Sequence, residues 1–235
     1  MSENAAALAL LGALKKSGVG NRPGKVLYSG LATLKPAVIL LLGYNPGGDP
    51  ADETETAEHH LSNSINRRPD WNEYLDAAWS PGGRRYAPGR APMQRRVAHL
   101  LEGIGYATRS VCASNLIFVR SRNAGSLEDQ ESLALRCWPV HEFILEIVQP
   151  RCIVTLGGEV SRFVCSKGIL ISRPDPFPSG HGNWKCSHFT IKLLGRKTSV
   201  ISLPHLSRYA VDHHPEVIAW VSNKIQTLCP EFEKR

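Results

Sequence analysis

The sequence predicts an α/β fold, a three-layer α/β/α sandwich around a central, mainly parallel four-stranded sheet. Three observations predict it. Four short runs are apolar almost throughout instead of alternating, the pattern of strands covered on both faces. Segments with helical spacing lie between them. The repeated order of strand and helix is that of a doubly wound sheet with right-handed crossovers.

The elements follow in order. Residues 5–14 form an apolar stretch that resembles a signal-peptide core only in length. Glu3 stands where a signal needs positive charge, and Lys15-Lys16 lie on the wrong side. Ser2 or Asn4 can cap a helix here, Leu8, Leu11 and Leu14 make one stripe, and Gly18 ends it. The strands are expected at 37–43 (A-V-I-L-L-L-G), 111–119, 152–157 (C-I-V-T-L-G) and 199–204. Helices are expected at 91–104, 127–148, 158–167 and 215–228, the second split or kinked by Pro139. Two segments break this order. Residues 48–90 are long, polar and rich in Gly, Pro, Arg and aromatics, and 171–185 read as a Pro/Gly loop. Such long loops in compact domains are usually lids or binding surfaces.

A chain of 235 residues buries about 70–75% of its unfolded surface and needs no disulfide or metal staple. We expect a single domain over 1–235, with 48–90 as a polar insertion or lid. Hydrophobic residues at 42% and charged ones at 21% exclude wholesale disorder. No apolar run is long enough for a membrane span. The six cysteines, Cys112, Cys137, Cys152, Cys165, Cys186 and Cys229, form no C-x-x-C pair. They read as reduced core thiols of a cytoplasmic protein. A net charge of +7 favours a polyanionic partner.

Ligands of open α/β sheets sit beyond the carboxyl ends of the strands. Those ends here carry Gly43-Tyr44-Asn45-Pro46-Gly47-Gly48-Asp49, Gly157-Gly158-Glu159 and Pro204-His205-Leu206-Ser207, and Asn115 lies within the second strand. Two amides and a histidine therefore converge on one rim. The glycine spacing at 43, 47 and 48 fits neither a dinucleotide fingerprint nor a P-loop. His141-Glu142 without a C-x-x-C fails the zinc-deaminase pattern. The adjacent pairs His59-His60 and His213-His214 point apart and read as solvated surface histidines. No metal or other cofactor is expected.

G-Y-N-P-G-G at 43–48 resembles the first motif of the uracil-DNA glycosylase superfamily, in the G-x-N-P-G form of its mismatch-specific and single-strand-selective branches. S-N-L-I-F-V-R-S at 114–121 resembles the strand whose asparagine reads the pyrimidine edge. P-H-L-S-R-Y at 204–209 resembles the second motif, with Leu206 where that motif commonly has proline. A-W-S-P-G-G at 78–83 resembles the segment that supplies a stacking aromatic. The four pieces occur in family order over roughly residues 37–210. The iron–sulfur branches carry amino-terminal cysteines, and none precedes Cys112 here, so no cluster is implied.

The resemblance implies a monofunctional DNA glycosylase that hydrolyses the N-glycosidic bond of a flipped-out, non-standard pyrimidine. Asn45 and His205 would be catalytic, Asn45 orienting water and His205 donating to the base carbonyl. Gly43, Tyr44, Pro46, Gly47, Trp79 and Asn115 would hold the base, with Tyr86 a weaker candidate for its wall. Arg84, Arg85, Arg90, Ser207 and Arg208 would meet DNA, with Arg95 and Arg96 in the same basic stretch. Plainer readings stand beside these. Asn45 is also a turn former before proline, His205 a cap after a strand, Asn115 a sheet-end amide, Trp79 a packing residue, and each arginine a solvated charge. Asp49 is an alternative water activator. The uracil-restricted branch has G-Q-D-P-Y, and Gly47 replaces that tyrosine, so a wider pocket is expected. Such a pocket would take uracil or a 5-substituted pyrimidine, including modified phage cytosines, in repair or phage defence. A catalytically silent DNA-binding module and a nucleoside hydrolase are the rival readings. The partner is DNA, and the chain is expected to be a monomer.

Overall fold

The computed structural model describes residues 3–51 and 55–228. Its strands are β1 (Ile39–Gly43), β2 (Cys112–Asn115), β3 (Cys152–Leu156), β4 (Ile169–Pro178), β5 (Lys185–Leu193) and β6 (Arg196–Leu203). Its helices are α1 (Glu3–Ser17), α2 (Ala57–Asn66), α3 (Pro92–Gly103), α4 (Gln130–Val148), α5 (Gly158–Ser166) and α6 (Pro215–Gln226). They build one sheet in the order β2-β1-β3-β6-β5-β4.

The first four strands in that order are parallel and coincide with the four apolar runs of the sequence. Their side chains supply two cores. Leu40, Leu42 and Ile153 pack with α1, α2, α4 and α5, while Ile39, Leu41, Val154 and Leu156 pack with α3 and α6. Burial on both faces is why these strands show no alternation. The expected strand at 111–119 stops at Asn115 because the chain then turns over the end of β1. There Leu116 N–H donates to Gly43 O at 2.8 Å and Ile117 N–H to Tyr44 O at 2.9 Å.

The sheet has six strands, not four. The segment 171–185, expected as a loop, is most of β4, the turn and the first residue of β5, an antiparallel hairpin that adds to β6. β4 forms the edge of the sheet and is exposed along almost its whole length, so it has no apolar period to read. An edge strand also tolerates Pro174, Pro176 and Pro178, because only one of its sides must pair.

Four smaller expectations change. α4 runs continuously through Pro139, whose ring and the Leu135 turn lie on the solvent face, where water can satisfy the freed carbonyl. In α1 the buried stripe is Ala6, Ala7, Leu10 and Leu14, and Leu8 is 62% exposed. Gly18 ends that helix at φ 69°, and Ser2 lies outside the described residues. α2 occupies part of 48–90 and buries Ala57, His60 and Leu61, so His60 is no surface histidine. It sits 3.6 Å from the buried Glu73 carboxylate, which Lys25 at 2.7 Å and Arg67 at 3.2 Å also hold. Burial opposes ionisation, but His60 and Lys25 keep the carboxyl far below its usual range. Cys112, Cys137, Cys152 and Cys186 are buried free thiols, Cys165 is half-buried, and Cys229 lies outside the described residues. No described helix is long and apolar enough to cross a membrane.

Candidate active site

Strand register fixes the geometry of the rim. Leu42 of β1 pairs with Thr155 of β3, which pairs with Ser202 of β6. Asn45 and His205 each follow three residues later, beyond the ends of β1 and β6, so both leave the sheet at the same rim, and β3 lies between those two strands. Two strand spacings separate β1 from β6 by about 10 Å. Gly43 pairs directly with Asn115 on the other side.

The Asn45 carboxamide is held through its nitrogen. Nδ2 donates to Ser121 Oγ at 2.8 Å, Pro46 O at 3.0 Å and Val119 O at 3.2 Å. These acceptors fix the amide plane and leave Oδ1 as its free acceptor. Ser121 N–H in turn donates to Pro46 O, and Gly48 N–H to Ser121 O. Gly48 needs its missing side chain: φ is 134°, and a Cβ would lie 2.8 Å from Arg120 Cδ. Gly47 does not. Its φ is ordinary and a Cβ there would meet nothing within 4 Å. Asp49 is exposed, accepts from Ala51 N–H at 3.0 Å and pairs with Arg122 at 3.2 Å. It is engaged in its own turn, away from Asn45's hydrogen-bond set.

His205 is half-buried on the loop after β6. Ser207 places its backbone N–H at 3.3 Å and its hydroxyl at 2.8 Å from Nδ1. A backbone N–H can only donate, so Nδ1 is the acceptor and the ring proton sits on Nε2. Burial first, and then the Arg208 charge, lower the pKa of this imidazole against the pull of Glu159. The ring is therefore neutral near pH 7 and presents an N–H. Arg96 from α3 secures the loop, donating to Leu206 O at 2.7 Å and Ser207 O at 3.2 Å. That contact removes Arg96 from the basic group and gives it a structural task. Glu159, in the first turn of α5, brings a carboxylate to the same place. Its Oε2 would lie 3.6 Å from a Cβ at Gly157, and His205 Cδ2 3.9 Å from that same point.

Asn115 is only 3% exposed. Its Oδ1 crowds Gly43, where a Cβ would approach within 2.1 Å. The Tyr28 phenol, which burial holds well above its usual pKa, lies close enough to this amide for the amide to favour its ionised form slightly. Tyr28 meets Trp79 edge-on at 6.1 Å, and both rings contact Tyr74. Gly43, Asn115, Tyr28 and Trp79 thus form one continuous wall. Tyr28 carried no local motif, and only its place beside β2 brings it here. Tyr44 leaves this wall: its ring joins the opposite core and its hydroxyl donates to Gln130 Oε1. Pro46 is buried beneath the turn.

Arg84, Arg85, Arg90, Arg95, Ser207 and Arg208 are exposed. Arg84 lies over the Tyr86 ring at 5.0 Å, and Tyr86 follows Trp79 through a backbone hydrogen bond of 2.8 Å. Trp71 belongs elsewhere. It lines an open groove of about 650 Å³ with Arg67, Arg68, Leu75, Asp76 and Pro88, which contains no rim residue. His214 stacks on Tyr209 at 4.9 Å. Among the described residues, no three His, Cys, Asp or Glu side chains converge to hold a metal ion.

This rim belongs to an α/β sandwich with a neutral acceptor, a neutral donor and an aromatic wall at the ends of its parallel strands. No protein-family model matches the chain, and no curated protein matches its sequence significantly.

Proposed function

We propose that the chain is a monofunctional DNA glycosylase acting on uracil or a 5-substituted pyrimidine turned out of the helix. The observation that carries this reading is that a fixed amide acceptor, Asn45 Oδ1, and an Nε2–H donor, His205, stand at the same rim of the sheet. Asn45 is too weak a base to ionise water, which suits a reaction in which the base leaves first. The C1′–N bond breaks and its electron pair departs on the base. His205 donates to a carbonyl oxygen of that anion, the kind of preorganised contact that most strongly lowers such barriers. Water held on Asn45 Oδ1 then adds to C1′, and its proton passes to the departed base or to solvent. The Glu159 carboxylate supplies negative charge near the cationic sugar. Asn115 offers its amide to the pyrimidine edge, and Trp79 a stacking face.

The open space at Gly47 supports a pocket wide enough for 5-substituents, the modified cytosines of phage DNA among them. The exposed arginines and the charge of +7 suit a polymeric anion. The test is base release from duplexes carrying uracil, 5-hydroxymethyluracil or glucosylated hydroxymethylcytosine, beside the free deoxynucleosides. Release from at least one duplex and none from nucleosides is the expected result. Release from nucleosides alone would make the chain a nucleoside hydrolase. DNA binding with no release from any duplex would make it a silent binding module.

A further inference from the structure

The β4–β5 hairpin lengthens the rim. Pro178 pairs with Lys185, and Ser187 pairs with Ser202, so the turn 179–184 stands beside the chain end that carries Pro204-His205. This turn is tightly built. Gly180 and Gly182 take left-handed φ values of 74° and 53°. Ser179 Oγ donates to Trp184 O at 2.7 Å and accepts from His181 N–H at 3.2 Å. Tyr209, fully buried below it, donates its hydroxyl to Ser179 O at 2.5 Å. The turn is therefore pinned to the segment that holds His205 and Arg208.

On this rigid base stands an indole with no core to fill. Trp184 is 40% exposed, the only aromatic among the large exposed hydrophobic residues described. His181 packs against it at 4.7 Å and 50°, bracing the ring from the side of Tyr209. Lys185 follows Trp184 directly and is exposed, and exposed Arg208 precedes Tyr209, whose hydroxyl holds the turn at Ser179. An exposed, braced indole flanked by cations is the physical form of a stacking platform for single-stranded nucleic acid.

We infer that the hairpin tip is a second DNA-binding site, on which Trp184 stacks an unpaired base of the strand passing His205 while Lys185 and Arg208 face its phosphates. The inference rests on the glycosylase reading for its choice of DNA, but its test needs no catalysis. The full chain, wild type and variants, is titrated against a fluorescein-labelled 20-nucleotide oligothymidine, with affinity read by anisotropy. Trp184→Ala is expected to weaken binding about tenfold, the effect of losing one stacked base. Trp184→Phe should restore it to within about threefold, because a phenyl ring still stacks. Lys185→Glu should weaken binding and flatten its salt dependence. Since Trp184 is exposed, the melting temperature of each variant should match wild type.

Wild-type affinity in Trp184→Ala would overturn the inference, as would equal weakening in Trp184→Ala and Trp184→Phe. No binding of the wild type to oligothymidine, or tighter binding to oligouridine RNA, would overturn it too. Binding through Trp184 without base release would refute only the glycosylase reading. Base release unaffected by Trp184→Ala, with unchanged affinity, would refute only the hairpin site.

Discussion

The two ends of the rim are held by different means. On the β1 side, Asn45 is locked by main-chain and hydroxyl acceptors in a turn that continues directly from the buried strands. On the β6 side, His205 sits on a loop fixed by side chains, with Ser207 on its ring and Arg96 on its carbonyls. The Asn45 end is an extension of the core, and the His205 end is a clamp assembled from outside the sheet. Damage to the first should therefore appear in stability as well as rate, and damage to the second chiefly in rate.

The largest effects test the two ends of the rim in the proposed reaction. Asn45→Ala and His205→Ala should each lower single-turnover base release about 100-fold or more, the effect of losing a positioned water or an oxyanion donor. DNA affinity should change little. Near wild-type turnover in Asn45→Ala with an inactive Asp49→Ala would reverse the roles assigned here.

The next effect separates the ends by stability. His141 of α4 is buried and its Nε2 bonds Leu116 O, in the turn that covers β1. Burial lowers its pKa to about 4, against about 6.5 in an unfolded chain. Between those values the unfolded chain holds the extra proton. Its contribution is complete above pH 6.5 and declines as pH falls to 4, by about 3 kcal/mol in all. Urea midpoints at pH 7 and pH 4.5 should fall further in wild type than in His141→Gln. Parallel declines in the two proteins would show that another group controls this end.

The clamp should yield a smaller change. Arg96→Ala removes the hold on Leu206 and Ser207 and should slow base release about tenfold, with melting altered by only a few degrees. Its pH–rate profile should also move, because the loosened His205 is better hydrated and its pKa returns toward the ordinary value. A tenfold loss with an unshifted profile would leave Arg96 as packing alone. The smallest effect concerns the pocket. Gly47→Tyr fits an open space at ordinary φ, so stability should hold while release of glucosylated hydroxymethylcytosine falls severalfold more than that of uracil. Exclusive cleavage of unsubstituted uracil by wild type would refute the wide pocket.

The sequence by itself determined the four parallel strands and their helices, because strands buried on both faces are apolar through most of their length and show no alternation. It also placed Asn45 and His205 just past strand ends, since a motif that follows a buried strand inherits its location, while Asn115 was expected within its strand and closes it. Tertiary structure alone decided the rest. The edge strand β4 was illegible because an exposed edge carries no hydrophobic period and tolerates proline, and without it the inner strand β5 had no partner to declare. Tyr28 and Arg96 acquired their tasks from strand order and helix packing, joining residues that are far apart in the chain. Tyr44 sat inside the motif yet turned into the opposite core, because successive residues at a strand end face opposite sides. Local pattern records whether a position is buried, while the partner that buries it is fixed only when the sheet assembles.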